Sequence, residues 1–303
     1  MYFMKIAIVG GAGFIGTNLY FYLKKKKHQT KILDNLLIKG NLRYLPNKDI
    51  IKCDLLKKNE LEKKLKDFDI IINLAGQTGV IQSNLNPLES IKKNIIGFLN
   101  LIEIVKKSKV RTIINASTGG AIYGDTKKVS AESDYSKPLS IYGLTKDFNE
   151  KMSKIIADEK KIIHLRFSNV YGPYSLHKMS LIHNAIKSNM LGERLKINGD
   201  GKSKRDFIYV EDVCRIIYKL IKSKSDIYNV ATGKSYSILN ILNILKKNNN
   251  CPNIFYTTSN KNEVRTVTIS NKKIKNKLNV NNKFFTKVDI GISKTISWYK
   301  NNF

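Results

Sequence analysis

Three glycines near the N-terminus constrain this chain more than any other feature. Residues 4–16 read MKIAIVGGAGFIG. An apolar run, Ile6-Ala7-Ile8-Val9, meets Gly10, Gly13 and Gly16, and a helical pattern follows at Leu19, Tyr20 and Leu23. Strand, tight turn and helix in that order aim a helix N-terminus, with its unpaired N–H groups, at whatever lies above the turn, which suits a pyrophosphate. Gly10 permits the sharp turn, Gly13 lets the backbone approach phosphates, and Gly16 lets the helix lie close on the sheet. Phe14 and Ile15, at the helix start, join them as cofactor-binding candidates. A lone glycine loop is weak evidence, because structural turns look the same. Here Asp34 ends the next apolar segment, about 20 residues on, with Asn35 after it. A carboxylate there accepts hydrogen bonds from a ribose and repels a 2′-phosphate, so the pattern points to NAD rather than NADP. The bland reading of Asp34 is a strand-end turn residue.

The first half then alternates. Strands are expected at 4–9, 30–34, 49–53, 69–74 and 110–116, and helices at 14–27, 58–66, 88–107 and 142–159. Such alternation predicts an α/β fold, a Rossmann-like doubly wound parallel sheet with helices on both faces. We expect residues 1–170 to form this NAD-binding domain. Residues 171–303 are expected to form mainly a smaller, interleaved substrate domain, with some segments returning to the first. In a doubly wound sheet the carboxyl ends of the strands carry the ligand. That places Asp54 and Leu55, then Leu74, Ala75 and Gln77, beside the cofactor; as ordinary βα turns they need no ligand at all. Asn94, inside an expected helix, either faces solvent or turns back toward the cofactor.

Bulk properties exclude several classes. No apolar run approaches the roughly 18 residues of a membrane span, and the glycine turn interrupts the only N-terminal segment resembling a leader. Three scattered cysteines and four scattered histidines show no metal spacing. We therefore expect a reduced, metal-free, cytoplasmic protein. The net charge of +30 raises the question of nucleic acid. The lysines run along the whole chain, however, with no basic arm and no stacking aromatics between them, and we expect no nucleic-acid partner. A positive field would still help collect an anionic small substrate.

The chemistry is concentrated further on. Asn115-Ala116-Ser117-Thr118-Gly119-Gly120-Ala121-Ile122-Tyr123-Gly124 puts a hydroxyl pair at the end of a buried strand, and Tyr142-Gly143-Leu144-Thr145-Lys146 follows. Tyr142 and Lys146, four apart, share a helix face. An ammonium beside a phenol favours the phenolate, lowering the tyrosine pKa toward neutrality. Such a tyrosine, next to Ser117 or Thr118, is a general base for an alcohol about to lose hydride. Tyr and Lys four apart are common by chance; behind a dinucleotide loop they carry weight.

Taken together these motifs resemble the extended short-chain dehydrogenase/reductases, in their nucleotide-sugar epimerase/dehydratase group. The resemblance covers nearly the whole chain. It continues through Leu165 to Pro173 (LRFSNVYGP), Gly199-Asp200-Gly201, Arg205 to Val213 (RDFIYVEDV) and Tyr228 to Gly233 (YNVATG). It implies bound NAD, with Asp54 and Leu55 flanking the adenine and Leu74, Ala75, Gln77, Asn94 and Ser168 along the cofactor. Tyr142 and Lys146 would be the catalytic pair, with Thr118 favoured over Ser117 as hydroxyl partner. Asn169 would contact the sugar nucleotide and Arg205 its diphosphate, a role suited to guanidinium geometry; the bland reading pairs Arg205 with Asp206. Arg265 is a second diphosphate candidate. Val267 falls where some epimerases carry a bulky residue beside the sugar, so a small side chain there leaves room for an N-acetyl group. His177 and Lys178, in the loop after Pro173, would reach a phosphate or sugar. By the same analogy helices 88–107 and 142–159 would form a four-helix bundle in a homodimer.

Two departures from the family matter. Dehydratases of this group carry an Asp-Glu pair just after the catalytic threonine, where this chain has Gly119 and Gly120. The hydroxyl also falls one position off its usual spacing to Gly124. The expectation is therefore an NAD-dependent 4-epimerase of a UDP-hexose or its N-acetyl form, with a nucleotide-sugar decarboxylase, reductase or uronate epimerase as the alternative, and behind these a non-catalytic dinucleotide-binding or nucleic-acid-binding relative.

Overall fold

Consecutive buried aliphatics build the centre of the fold. Ile6, Ala7, Ile8, Val9, Ile70, Ile71, Ile72, Ile113, Ile114 and Ile163 are each at most 5% exposed, the mark of inner strands of a parallel sheet covered on both faces. The computed structural model describes residues 3–38, 41–126, 128–156, 159–258 and 266–303. In chain order the first part runs β1 (Lys5–Val9), α1 (Phe14–Lys25), β2 (Gln29–Asp34), β3 (Ile50–Lys52), α2 (Lys58–Leu65), β4 (Ile70–Asn73), α3 (Val80–Leu85) and α4 (Pro87–Ile91). After a π-helical turn (Lys92–Ile96) come α5 (Gly97–Lys106), β5 (Thr112–Thr118), α6 (Gly119–Ile122), α7 (Ile141–Ile156) and β6 (Lys161–Phe167). The rest comprises β7 (Asn169–Tyr171), α8 (Leu181–Leu191), β8 (Leu195–Asn198), β9 (Lys204–Tyr209), α9 (Val210–Leu220), β10 (Asp226–Val230), β11 (Ser235–Ser237), α10 (Ile238–Lys247), β12 (Ile254–Thr257), α11 (Lys272–Leu278) and α12 (Val288–Asn302).

The described residues form a seven-stranded sheet in the order β10-β6-β5-β4-β1-β2-β3, with every pairing parallel. Strand order reverses between β1 and β4, so the crevice at their carboxyl ends is the place a doubly wound sheet offers a ligand. One face buries α1 and α9, through Leu19, Leu23, Val213 and Ile217; the other buries α2 and α5, through Leu61, Leu65, Leu101 and Val105. The smaller part packs α8, α10 and α12 around β9. It contains the sheet β11-β9-β7 and the pair β12-β8. The chain crosses between the parts more than once. Strand β7 pairs with β9 and straddles the expected boundary at 170, whereas β10 (Asp226–Val230), much later in the chain, forms the edge of the large sheet.

The helix expected over 88–107 is interrupted. It turns as α4, passes through the π-helical Lys92–Ile96 and continues as α5. The wider turn carries Asn94 inward, where it is 3% exposed, and so decides the alternatives its spacing left open. Such a bulge often marks a functional site.

Candidate active site

The turn between β1 and α1 is held by contacts that leave little freedom. Gly10 has φ +74°, and a Cβ there would lie 2.6 Å from Ala75 N. The loop and the end of β4 therefore touch backbone to backbone. Gly13 caps α1, and around it a Cβ would meet only the Gly10 carbonyl, at 3.2 Å. Asp34 sits where the ribose acid was expected. Its carboxylate accepts from Ala12 N at 3.0 Å and Leu36 N at 2.9 Å, while burial pushes its pKa upward. A groove of 320 Å³ runs from Gly10 and Gly13 past Asp34, Asn35, Asp54 and Leu55 to Leu74, Ala75 and Gln77. The structure thus brings nine of the sixteen cofactor candidates to one groove; Phe14, Ile15, Gly16, Asn94, Tyr142, Lys146 and Ser168 are not among its lining. Phe14 is buried at the start of α1, with Ile15 packed against the same core.

Asn94 closes the far end. Its Oδ1 accepts from Gln77 N at 2.8 Å, and its Nδ2 donates to Gln77 O and to Thr145 Oγ1, each at 3.1 Å. It clamps the loop after β4 against α7. Ser168 lies elsewhere: its hydroxyl donates to Asp206 Oδ1 at 3.1 Å, outside the residues lining the groove.

Helix α7 presents the reactive pair, and its first turn is fixed from α3. Ile141 N donates to Asn84 Oδ1 at 3.0 Å, Tyr142 N to Ser83 Oγ at 3.1 Å, and Gly143 N to Ser140 Oγ at 3.1 Å. Orphan N–H groups of a helix start are satisfied this way, and the position of Tyr142 follows. A Cβ on Gly143 would collide with the Ala121 carbonyl, so α7 lies directly on the turn that follows β5. Across that contact the Thr118 hydroxyl stands beside the Tyr142 phenol. Ser117, on the opposite face of β5, donates to Glu150 Oε1 at 2.5 Å. Strand alternation separates the two hydroxyls, leaving Thr118 beside the phenol.

Lys146 is 4% exposed, and its Nζ stands 5.9 Å from the Tyr142 ring centre. Among the described residues it makes no hydrogen bond or ion pair. Burial pushes its pKa down to about 8, opposed by the nearby Glu150 charge. Burial also pushes Tyr142 up to about 12, opposed by the Thr118 hydroxyl. The lowered tyrosine pKa expected from spacing is therefore not a property of the chain alone. Stripping water from the phenolate outweighs an ammonium that lies over the ring. These residues fit a dinucleotide. A cradle closed to side chains at Gly10, an open approach at Gly13 and an acid at Asp34 line one groove, and a buried ammonium without an acceptor stands beside it at Gly76.

The remaining candidates spread around the mouth. Asn169 donates from Nδ2 to Asp206 O at 3.2 Å. Arg205, half-buried on β9, donates from Nη1 to Lys204 O at 2.9 Å. The bland pairing of Arg205 with Asp206 does not describe Asp206. That carboxylate is 0% exposed and accepts from Ser168 Oγ, Thr232 N, Thr232 Oγ1 and Gly233 N. Burial moves it up to about 6. Val267 is buried with Ile122, Tyr123, Ala231 and Ile269. His177 is exposed and Lys178 half-buried in a loop whose Tyr174 packs on Phe21, Tyr44 and Trp298. Arg265 lies outside the described residues. No group of three or more metal-ligating side chains occurs among them.

Spacing missed the polar interior behind the site. Asn73, Asn115 and His164 stand side by side on β4, β5 and β6. Asn73 Nδ2 donates to Asn115 Oδ1 at 2.7 Å, Asn115 Nδ2 lies 3.2 Å from His164 Nδ1, and His164 Nε2 lies 2.9 Å from Ser153 Oγ. Below them Glu150 pairs with Arg166 at 2.6 Å, both nearly out of solvent.

Comparison with known proteins agrees with this geometry. Residues 6–231 match the profile of the NAD dependent epimerase/dehydratase family. A putative UDP-glucose 4-epimerase of Methanocaldococcus jannaschii is 30% identical over 306 aligned residues, covering 98% of this chain and 99% of that protein. The crystal structure of a Thermotoga maritima UDP-glucose 4-epimerase with UDP-glucose superposes with a TM-score of 0.92 at 29% identity, covering 98% of this chain and 99% of the other. A Thermus thermophilus UDP-glucose 4-epimerase in complex with NAD gives 0.92 at 25% identity, covering 99% and 100%.

Proposed function

The chain belongs to the NAD dependent epimerase/dehydratase family, and from that premise we propose an NAD-dependent nucleotide-sugar 4-epimerase acting on a UDP-hexose or UDP-N-acetylhexosamine. One observation carries the reading: a half-buried Tyr142, beside Thr118 and facing Lys146, at the end of a dinucleotide groove that has no carboxylate at 119 or 120. NAD⁺, when bound, supplies a hydride acceptor for the sugar's C4 and a positive charge beside Tyr142. Tyr142 takes the C4 hydroxyl proton and later returns it. Thr118 holds the same oxygen. Lys146 turns its ammonium toward a ribose and favours the phenolate. The sugar passes through a 4-keto form, and without an acid at 119 or 120 nothing on that turn drives elimination. Asn169, Arg205 and Arg265 are the candidates for the nucleotide and its diphosphate. Val267, small and buried, leaves space for an N-acetyl group.

A homodimer through α4, α5 and α7 is the assembly we favour. Ile81, Leu85, Leu88, Leu144 and Ile155 are each more than half exposed along these helices and the neighbouring α3, and light scattering of the purified protein tests it. Among the described residues no helix is long and apolar enough to cross a membrane, in keeping with a place in the cytoplasm.

The deciding experiment incubates the protein separately with UDP-galactose, UDP-N-acetylgalactosamine and UDP-glucuronate and follows the anomeric protons by NMR. A new epimer without added NAD supports the reading and selects the sugar. Net NADH formation would move the assignment to a decarboxylase, and net NADH consumption to a reductase. Tyr142→Phe should retain NAD and lose roughly 10²–10⁴-fold in turnover; wild-type turnover in that variant sinks the mechanism.

A further inference from the structure

Glu150 lies one helical turn beyond Lys146 on α7 and two beyond Tyr142, and is 2% exposed. Its carboxylate is fully engaged. Oε1 accepts from Ser117 Oγ at 2.5 Å and from Arg166 Nε at 3.0 Å; Oε2 accepts from Arg166 Nε at 3.1 Å and Nη2 at 2.6 Å. Arg166 Nη1 donates onward to the Tyr123 hydroxyl at 2.7 Å, which donates to Asn229 Oδ1 at 2.6 Å. The cluster ties α7 to the carboxyl ends of β5 and β6 and to β10. A buried ion pair is poor evidence of stability, because desolvation offsets most of its attraction. Its place behind the reactive pair asks for another explanation.

Lys146 supplies one. It is a buried ammonium with no bonded counter-ion among the described residues, and its Nζ faces Gly76 and the Tyr142 ring. The titratable and charged groups around it are few. On α7 they are Tyr142, Asp147, which is occupied by Lys151, and Glu150. From β6 come His164 and Arg166. From α4 and the π-helical turn come Glu89, Lys92 and Lys93, with Glu89 held by Lys93. Helices α3 and α6 and strand β5 contribute none, and Tyr123 just beyond α6 is bonded to Arg166. Glu150, although paired with Arg166, is the carboxylate buried on the inner side of Lys146 whose charge acts on it.

Building on the epimerase reading, we propose that Glu150 is a positioning residue: through Ser117 and Arg166 it holds α7 against the ends of β5 and β6, and in the NAD-loaded protein its charge biases the proton shared by Tyr142 and Lys146 toward Lys146. A phenol beside a neutral amine and a phenolate beside an ammonium differ only in where that proton sits, so the two groups titrate as a pair. Glu150 lies about 6 Å along the helix from Lys146 and about 12 Å from Tyr142. It therefore stabilises the ammonium more than it destabilises the phenolate, and Tyr142 is left as the base. No proton passes to Glu150. The sugar hydroxyl proton goes to Tyr142 and returns.

The test compares kcat and KM against pH for the NAD-loaded wild type, Glu150→Gln and Ser117→Ala. Glu150→Gln keeps the shape and removes the charge. Its plateau kcat should fall at least about tenfold with KM nearly unchanged, and the acid limb should move down by about one pH unit, because the pair sheds its proton more easily. Ser117→Ala removes one donor from Glu150, leaves more of its charge uncompensated, and should move the limb up. Acid limbs that stay in place in both variants overturn the proposal. If Glu150→Gln does not fold, the direction of the Ser117→Ala shift decides alone. If the wild type turns over no UDP-sugar, the epimerase reading fails while this one is still tested. The ultraviolet difference spectrum against Tyr142→Phe isolates one ionisation among the 15 tyrosines. In Glu150→Gln the first step of that ionisation should move down with the acid limb and lose amplitude, the remainder following in a second step at higher pH, and an unchanged curve refutes the role.

Discussion

Gly10→Ala probes the stretch on which the fold and the cofactor both depend. At φ +74° an L-residue with a Cβ pays about 1–2 kcal/mol. The new Cβ would stand 2.6 Å from Ala75 N, 2.8 Å from Ala75 Cα and 2.9 Å from Leu74 C, where ordinary contact begins near 3.4 Å. All three atoms are backbone, so no side chain can swing aside, and the end of β4 must retreat by several tenths of an ångström. Forcing an extra methyl into such packing adds about 1–3 kcal/mol. The expected loss is about 2–5 kcal/mol, a large share of the 5–15 kcal/mol typical of a whole domain. Leu74 and Ala75 also line the groove, so NAD affinity should fall with stability. Gly13→Ala separates the two effects: its Cβ meets only the Gly10 carbonyl at 3.2 Å, so it should unfold within about 1 kcal/mol of wild type while still losing NAD. Urea midpoints of the NAD-free proteins, with calorimetric NAD titrations, give both quantities. A Gly10→Ala protein with unchanged affinity and less than about 1 kcal/mol lost would refute the argument.

Thr118→Val should lower kcat at least about tenfold with NAD binding intact, whereas a wild-type kcat would show that Thr118 does not touch the reacting oxygen. Stability should fall on mild acidification. His164 and His183, 3% and 1% exposed, are both held down to about 3 by burial. For a depressed histidine the stability is fully present above the unfolded value of about 6.5 and is lost as pH falls toward the folded one. From pH 6.5 to 5 the two remove about 3 kcal/mol. Asp206, raised to about 6, acts oppositely: its contribution is lost as pH rises through 6, so over the same window it returns about 1 kcal/mol. His28 adds to the loss and Asp34 opposes it. Denaturant midpoints at the two pH values should show a net fall of about 2 kcal/mol; a rise would contradict the histidine assignments.

The sheet was readable because its strands are continuous aliphatic runs, a pattern that survives any loop between them. Gly10 and Asp34 were readable because a tight turn after a strand, and an acid ending the next strand about 20 residues on, recur at a fixed spacing. Spacing failed where facing mattered. It could place Ser117 and Thr118 at a strand end, but only pairing with α7 reveals that Thr118 meets Tyr142 while Ser117 meets Glu150. It left Asn94 undecided, since one extra residue in the π-helical turn rotates a helix face. Glu150 did leave a signal, an acid four beyond Lys146 on the same face as Tyr142, but its partner Arg166 belongs to β6 and no local pattern joins them. Ser83 and Asn84, which hold the first turn of α7, left none. In the second half, strands of three or four residues, β7, β8, β11 and β12, are too short to show a period of two.

The pair of glycines after Thr118 separates what packing requires from what chemistry selects. A Cβ on Gly119 would stand 2.5 Å from Ile269 Cδ1 and 3.3 Å from Arg166 O, whereas one on Gly120 would meet nothing closer than Thr118 Oγ1 at 4.0 Å. Gly119→Ala should therefore lose about 1–3 kcal/mol as Ile269 is pushed from its cluster. Gly120→Ala should be neutral or gain a few tenths, because it stiffens the unfolded chain at a helical position without a clash. Parallel urea titrations check the contrast, and equal losses would mean the turn is constrained by backbone conformation rather than by contact. The consequence reaches the reaction. Position 119 is closed to a side chain by Ile269, but position 120 has room for a carboxylate and carries none. Its lack of an acid is thus not imposed by space. A carboxylate at 120 would place a charge beside Thr118, next to the Tyr142 phenol, and oppose the phenolate that a 4-epimerase needs. Gly120→Asp should accordingly fold as well as wild type and lose epimerisation, with the acid limb of kcat displaced upward. A variant that keeps wild-type turnover would place the reacting carbon away from Thr118.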